Sequence, residues 1–263
     1  MFPPERNSMS ASAATLSPPS AALLLMEGRA LSEYSAFWLM RPWLSVTARG
    51  DGHPVLVLPG LLADDTSTQA LRGFLNSHGY QAHGWNQGRN CGLHGTLEAD
   101  LLTLIEKLYA RHGGRRVSLV GWSLGGLYAR QLAKLTPDKV RCVISLGSPF
   151  ASSPKSTNAW RAYEWANGSK ADDQMPAGLA EVPPVPTTSI FSRTDGICAW
   201  QGCLNPDGPT SENIEVDGSH CGLGHHPAVV YAIADRLAQP EGEWKKFERS
   251  GWRALVFPDW RRA

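Results

Sequence analysis

The segment "RVSLVGWSLGGLYARQL", residues 116–132, places Ser123 between Gly121 and Gly125. A short apolar run precedes the serine and an apolar segment of helical period follows it. This G-x-S-x-G spacing suits a nucleophilic hydroxyl projecting from a sharp strand-to-helix turn, where bulky residues two positions to either side would clash. The helix that begins there offers free N–H groups and a positive dipole end where an oxyanion could develop. The plainer use of such a serine is as a helix N-cap.

A serine hydroxyl needs a base within hydrogen-bond reach, and eight histidines compete for that role. His53, His78, His83, His94 and His112 precede the serine in loops or at helix ends, where a solvated surface position is expected. His220, in "VDGSHCG", falls in a turn just beyond the last strand, at the carboxyl edge of a sheet. His225 is the second candidate. His226 abuts Pro227, as expected in the first turn of a helix, so it and His225 read as structural. For the acid that orients the imidazole, Asp195 ends the apolar run of "SIFSRTDG". Asp217 is its rival, better read as the turn residue of "VDGS", and Asp172 and Asp173 read as solvated. Two N–H donors are needed for an oxyanion. Leu124 follows the nucleophile, and Leu61 follows "VLVLPG", where Gly60 permits close approach; a simple Pro-Gly turn is the alternative. Trp122, Trp160, Trp165 and Trp200, with Tyr163, are candidate walls of a substrate pocket.

The elements that must hold these residues alternate. Buried strands are expected at 54–58 and in "QAHG", "RVSLVGW", "VRCVISLG", "PTTSIFS" and "SENIEV". Helices are expected in "TSTQALRGFLNS", "TLEADLLTLIEKLYAR", "SLGGLYARQLAKL" and "HPAVVYAIADRLAQ". Such alternation argues for an α/β fold with a mainly parallel sheet covered by helices on both faces. Residues 151–182 interrupt the pattern with a polar stretch containing spaced aromatics, which suits a short lid or cap insertion. Residues 21–49 read as one amphipathic helix and an extended stretch. Three parts follow: a Pro/Ser/Ala-rich arm at 1–20, expected to be disordered; a catalytic-type domain at 21–240; and a basic, aromatic tail at 241–263, expected to dock on the domain surface.

The bulk properties narrow the function. A chain of 263 residues suffices for one large α/β domain. A net charge of +1 gives no electrostatic case for a nucleic-acid partner. No apolar run reaches the roughly 20 residues that span a bilayer; "AALLLMEG" soon meets Glu27 and Arg29. No signal peptide is evident, so a cytoplasmic location is expected. Five cysteines leave at least one unpaired. A Cys203–Cys221 bridge is conceivable, but free thiols are favoured in a reducing compartment. No zinc-type spacing occurs, and "GWSLGG" lacks the dinucleotide-binding spacing.

Over residues 50–240 the chain resembles the α/β-hydrolase superfamily, and in particular its lipase- and esterase-like members. "LPGLL" is similar to the family's oxyanion loop, "GWSLGG" to its nucleophile turn, "SRTDG" to its acid turn and "GSHCGL" to its histidine loop. "GWNQGRNCG" and "DGICAWQGC" resemble a bacterial lipase-like group. Ser123, Asp195, His220 follow the chain order of that superfamily. The resemblance implies cleavage of a small-molecule ester or lipid through an acyl-enzyme, without metal or cofactor. One departure is Pro59-Gly60 where many relatives carry His-Gly. An acyltransferase or thioesterase would use the same constellation, and a binding protein could retain the fold.

Overall fold

The structure, a computed structural model, describes residues 16–168, 170 and 178–262. Most of the expected arm, together with Asp172 and Asp173, lies outside the described residues. Six strands form one sheet: β1 (Pro54–Leu58), β2 (Gln81–Gly84), β3 (Val117–Trp122), β4 (Val140–Leu146), β5 (Thr187–Ser192) and β6 (Ser211–Val216). Their order is β2-β1-β3-β4-β5-β6 and every pairing is parallel. Parallel neighbours require crossovers, and crossover helices cover both faces. The interior strand β1 is accordingly apolar without alternation, with "PVLVL" buried throughout, whereas the edge strand β2 alternates.

On one face lie α4 (Gln69–Ser77) and α8 (Pro227–Leu237), where Phe74, Val229 and Ile233 pack with Val57, Ile144 and Ile190 of the strands. On the other lie α5 (Leu97–Arg111) and α6 (Leu124–Leu135). Their Leu101, Ile105, Leu127 and Leu132 meet Leu56, Leu119 and Val143. In α5 the buried residues Leu97, Leu101, Ile105 and Leu108 recur at three- and four-residue steps, giving it one inward stripe. Strand order reverses between β1 and β3. Their carboxyl ends therefore open a crevice of the kind in which open α/β sheets bind ligands.

Residues 21–49 depart from the expected single helix. They form α1 (Ala21–Met26), a 3-10 turn (Glu27–Arg29), α2 (Ala30–Leu39) and α3 (Arg41–Leu44). Gly28 weakens the helix at the first junction, and the Pro42 ring cannot follow an intact turn, which ends α2. The tail carries α9 (Arg253–Val256) and docks through a fully buried Phe257 and the rings of Tyr231 and Trp252. No helix among the described residues is long and apolar enough to cross a membrane.

Two histidines expected at the solvated surface are buried. His53 is 1% exposed, with Nδ1 2.5 Å from Asp51 and Nε2 2.9 Å from the Ser118 hydroxyl. His78 stacks on Phe74 and contacts the Leu44 carbonyl of α3. α3 covers His78 at the end of α4, and Asp51, Ser118 and Tyr80 enclose His53. All five cysteines are free; Cys203 is buried while Cys221 is exposed.

Candidate active site

Ser123 joins β3 to α6 with φ 54° and ψ −120°, a region that costs a non-glycine residue about 1–3 kcal/mol and persists only where its surroundings enforce it. They do: its amide donates to the Leu146 carbonyl at 2.8 Å and its own carbonyl accepts from Gly126 at 3.0 Å. Gly121 supplies the close approach, since a Cβ there would overlap the Gly125 carbonyl and the Gly126 Cα. Gly121→Ala is therefore expected to reduce the unfolding free energy by about 3 kcal/mol. Urea denaturation checks this, and an unchanged midpoint would show that the turn tolerates a side chain.

The loops after β5 and β6 bring Asp195 and His220 together, with Nδ1 2.6 Å from the Asp195 Oδ2. Both are buried, at 2% and 6% exposure. Asp195 Oδ1 accepts from the amides of Ile197 (2.8 Å) and Cys198 (2.7 Å), so the carboxylate cannot rotate away from the ring. Burial pushes the His220 imidazole down, but the charge and hydrogen bond of Asp195, with the charge of Glu27, outweigh it and leave His220 above its ordinary value. Beneath the pair lies Gly147, at φ 55°. A Cβ there would sit 3.0 Å from His220 Nδ1 and 3.1 Å from Asp195 Oδ2. Trp122 Nε1 donates to the His220 carbonyl at 3.0 Å.

The loop after β1 completes the crevice. Leu62 is at φ 60°, and its amide donates to the Asn90 carbonyl at 2.7 Å. Asn90, fully buried, donates from Nδ2 to the Pro59 carbonyl at 2.9 Å, while its Oδ1 accepts from Tyr128 and Gly92. Asn90 thus pins both ends of the Pro59–Leu62 turn, one through its side chain and the other through its backbone carbonyl. Gly60 lies against the Ser123 turn, where a Cβ would be 3.3 Å from that of Ser123. The Leu61 amide donates to none of the described residues, and the Leu124 amide opens α6, where helix N–H groups lack intrahelical acceptors.

Two adjoining pockets meet at Ser123. One is lined by Gly60, Leu61, Trp122, Ser123, Ile197 and His220. The other includes Leu124, Leu127, Pro149, Trp160, Tyr163 and Cys198. Trp160 and Tyr163 come from α7 (Trp160–Asn167), three residues apart on one helix face. Two of the expected pocket residues are elsewhere. Trp165, two residues past Tyr163 and so about 200° round the helix, is 80% exposed. Trp200 stacks on Phe191 with the Arg193 guanidinium 4.1 Å from its ring centroid, in a packing cluster with Cys203 and Trp260.

The rival residues have other partners. His225 contacts the Ala30 carbonyl and the rings of Tyr34 and Trp122. His226 caps α8 through the Ala228 amide, and Asp217 accepts from the Thr194 hydroxyl. Asp195, Cys198 and His220 hold potential metal-donor atoms within 4.8 Å of one another, but the carboxylate oxygens are already engaged by His220 and two amides. Asn90 and Gly147 escaped sequence reasoning; an asparagine within "GRNCG" and a glycine directly after "VISL" were the only local signals.

The sequence profile of the alpha/beta hydrolase fold family matches residues 71–183. No curated protein matches the chain in sequence. Among solved structures the chain is similar to lipase B of Aspergillus fumigatus (17% identity, TM-score 0.55), covering 76% of this chain and 55% of that one. It is also similar to a monoacylglycerol lipase of Paleococcus ferrophilus (18% identity, TM-score 0.51), covering 72% and 96% respectively. At these identities the likeness speaks to fold. Sheet order, crossover pattern and the match over residues 71–183 together show an α/β-hydrolase fold.

Proposed function

We propose that the protein is a serine hydrolase of carboxylic esters acting through an acyl-enzyme. The observation that carries this reading is Ser123, held at positive φ at the crevice of the sheet and sharing a pocket with His220, whose ring is paired with Asp195. In the proposed reaction Ser123 Oγ attacks the ester carbonyl and His220 Nε2 takes the hydroxyl proton. Asp195 keeps the Nδ1 proton in place and stabilises the imidazolium. The Leu61 and Leu124 amides receive the oxyanion. The tetrahedral intermediate collapses, His220 returns its proton to the leaving alcohol, and water repeats the sequence to release the acid.

Leu124, Leu127, Trp160 and Tyr163 give the second pocket an apolar lining suited to an acyl chain, whereas the first is open beside Trp122 and Ile197. A p-nitrophenyl ester series from acetate to palmitate tests the reading. Hydrolysis with an optimum at short to medium chains is expected. Folded protein inert toward every member would refute it.

A further inference from the structure

The loops that carry Asp195 and His220 are held from outside the sheet by two carboxylates of the N-terminal helical segment. Glu27 Oε1 accepts from the Gly196 amide at 2.7 Å and from the His220 amide at 3.0 Å, and its Oε2 accepts from the Cys221 amide at 2.8 Å. One side chain thus ties the residue after the acid to the histidine and the residue after it. Six residues on, Glu33 accepts from the Ser219 amide at 2.9 Å and from the Ser219 hydroxyl. Arg29, on the same segment, donates to the Thr194 carbonyl (2.8 Å) and hydroxyl (2.7 Å), on the other side of Asp195.

The backbone of both loops is shaped to receive this segment. A Cβ on Gly196 would overlap the Leu23 carbonyl, and one on Gly222 would overlap the Glu33 carboxylate. Burial pushes the Glu27 carboxyl up, but the three amides and the charge of His220 outweigh it and leave it below the ordinary range, so it is ionised at neutral pH. A carboxylate accepting three amides is a strongly held anchor, because charge-assisted hydrogen bonds are about twice as strong as neutral ones.

We propose that Glu27 is a positioning residue for the reaction: it fixes the acid and histidine loops relative to one another, and its negative charge favours the imidazolium. The proposal rests on His220 being the base. The ionisable groups facing His220 are Asp195 and Cys198 from the loop after β5, Glu27 from the 3-10 turn and Cys221 on its own loop. Glu33 stands one residue back, paired with Arg29 at 3.4 Å. The thiol of Cys221, pushed up to about 12 by burial and by Glu27, is neutral in the working range. Glu27 and Asp195 are thus the charges that lift His220.

Glu27→Gln removes the charge and presents an NH2 group where an amide N–H must be accepted. Displacing a reacting group by a fraction of an ångström is expected to lower kcat by at least about tenfold, with KM nearly unchanged. His220 must be neutral to act as base, so activity rises with pH through its midpoint. Losing the nearby negative charge is therefore expected to move the acidic limb of kcat/KM to lower pH. The same downward shift is expected in the NMR titration of the His220 ring. That titration needs no turnover, so it decides the proposal even if wild-type protein hydrolyses no ester. Glu27→Asp keeps the charge but not the reach, and is expected to lose kcat while its His220 midpoint stays close to wild type. Wild-type kcat with an unshifted midpoint in Glu27→Gln overturns the proposal. So does unfolding of both variants at assay temperature, which would make the segment a folding element.

Discussion

Ser123→Ala is expected to lower kcat for ester hydrolysis by about 10⁴- to 10⁶-fold, leaving the fold intact. The substitution deletes only the hydroxyl. Alanine keeps the Cβ and meets the same backbone demand at φ 54°, and the main-chain bonds to Leu146 and Gly126 do not involve the side chain. The free amides of Leu61 and Leu124 remain, which is why a small residual rate over water is expected rather than none. Steady-state kinetics beside a thermal melt checks the result. Turnover within tenfold of wild type, at an unchanged melting temperature, would mean that another residue is the nucleophile.

Asp195→Asn should be almost as severe, at about 10⁴-fold in kcat, for a reason of hydrogen-bond direction. Asp195 Oδ1 already accepts two amides, from Ile197 and Cys198. An asparagine must therefore keep its carbonyl oxygen on that side and turn its NH2 toward His220 Nδ1. The NH2 donates, which forces the ring proton onto Nε2 and removes the lone pair that takes the serine proton. Asp217→Asn, at an exposed position bonded to Thr194, is expected to remain within about twofold of wild type, in keeping with the small effect of most surface changes. Kinetics of the two variants side by side separates the candidates. Full activity in Asp195→Asn with loss in Asp217→Asn would reverse the assignment of the acid.

Much of this architecture was legible because its signals are local. β1 and β3 are largely apolar runs buried without alternation, which a sheet covered on both faces requires, and α5 shows a clean helical stripe. Gly121 and Gly125 flag the turn at Ser123 because close backbone approach excludes a side chain there. What was not legible depends on contacts distant in sequence. Nothing in "GHPV" says that His53 is buried, because its partners include Ser118, 65 positions away. The role of Asn90 requires the β1 loop to lie beside it. Glu27 and Glu33 look like ordinary charges of an exposed helix, yet their partners lie about 170 to 190 residues on. Residue type alone does not separate Trp165 and Trp200 from Trp160: helix phase turns Trp165 to solvent and stacking on Phe191 holds Trp200 away.

Covalent capture tests the central claim most directly. Folded protein would be treated with a p-nitrophenyl alkylphosphonate, followed by intact-mass analysis and peptide mapping. We expect one adduct per chain, located on Ser123, absent from Ser123→Ala and formed far more slowly in Asp195→Asn. An adduct on another residue, or none on protein that still hydrolyses esters, would contradict a Ser123 acyl-enzyme.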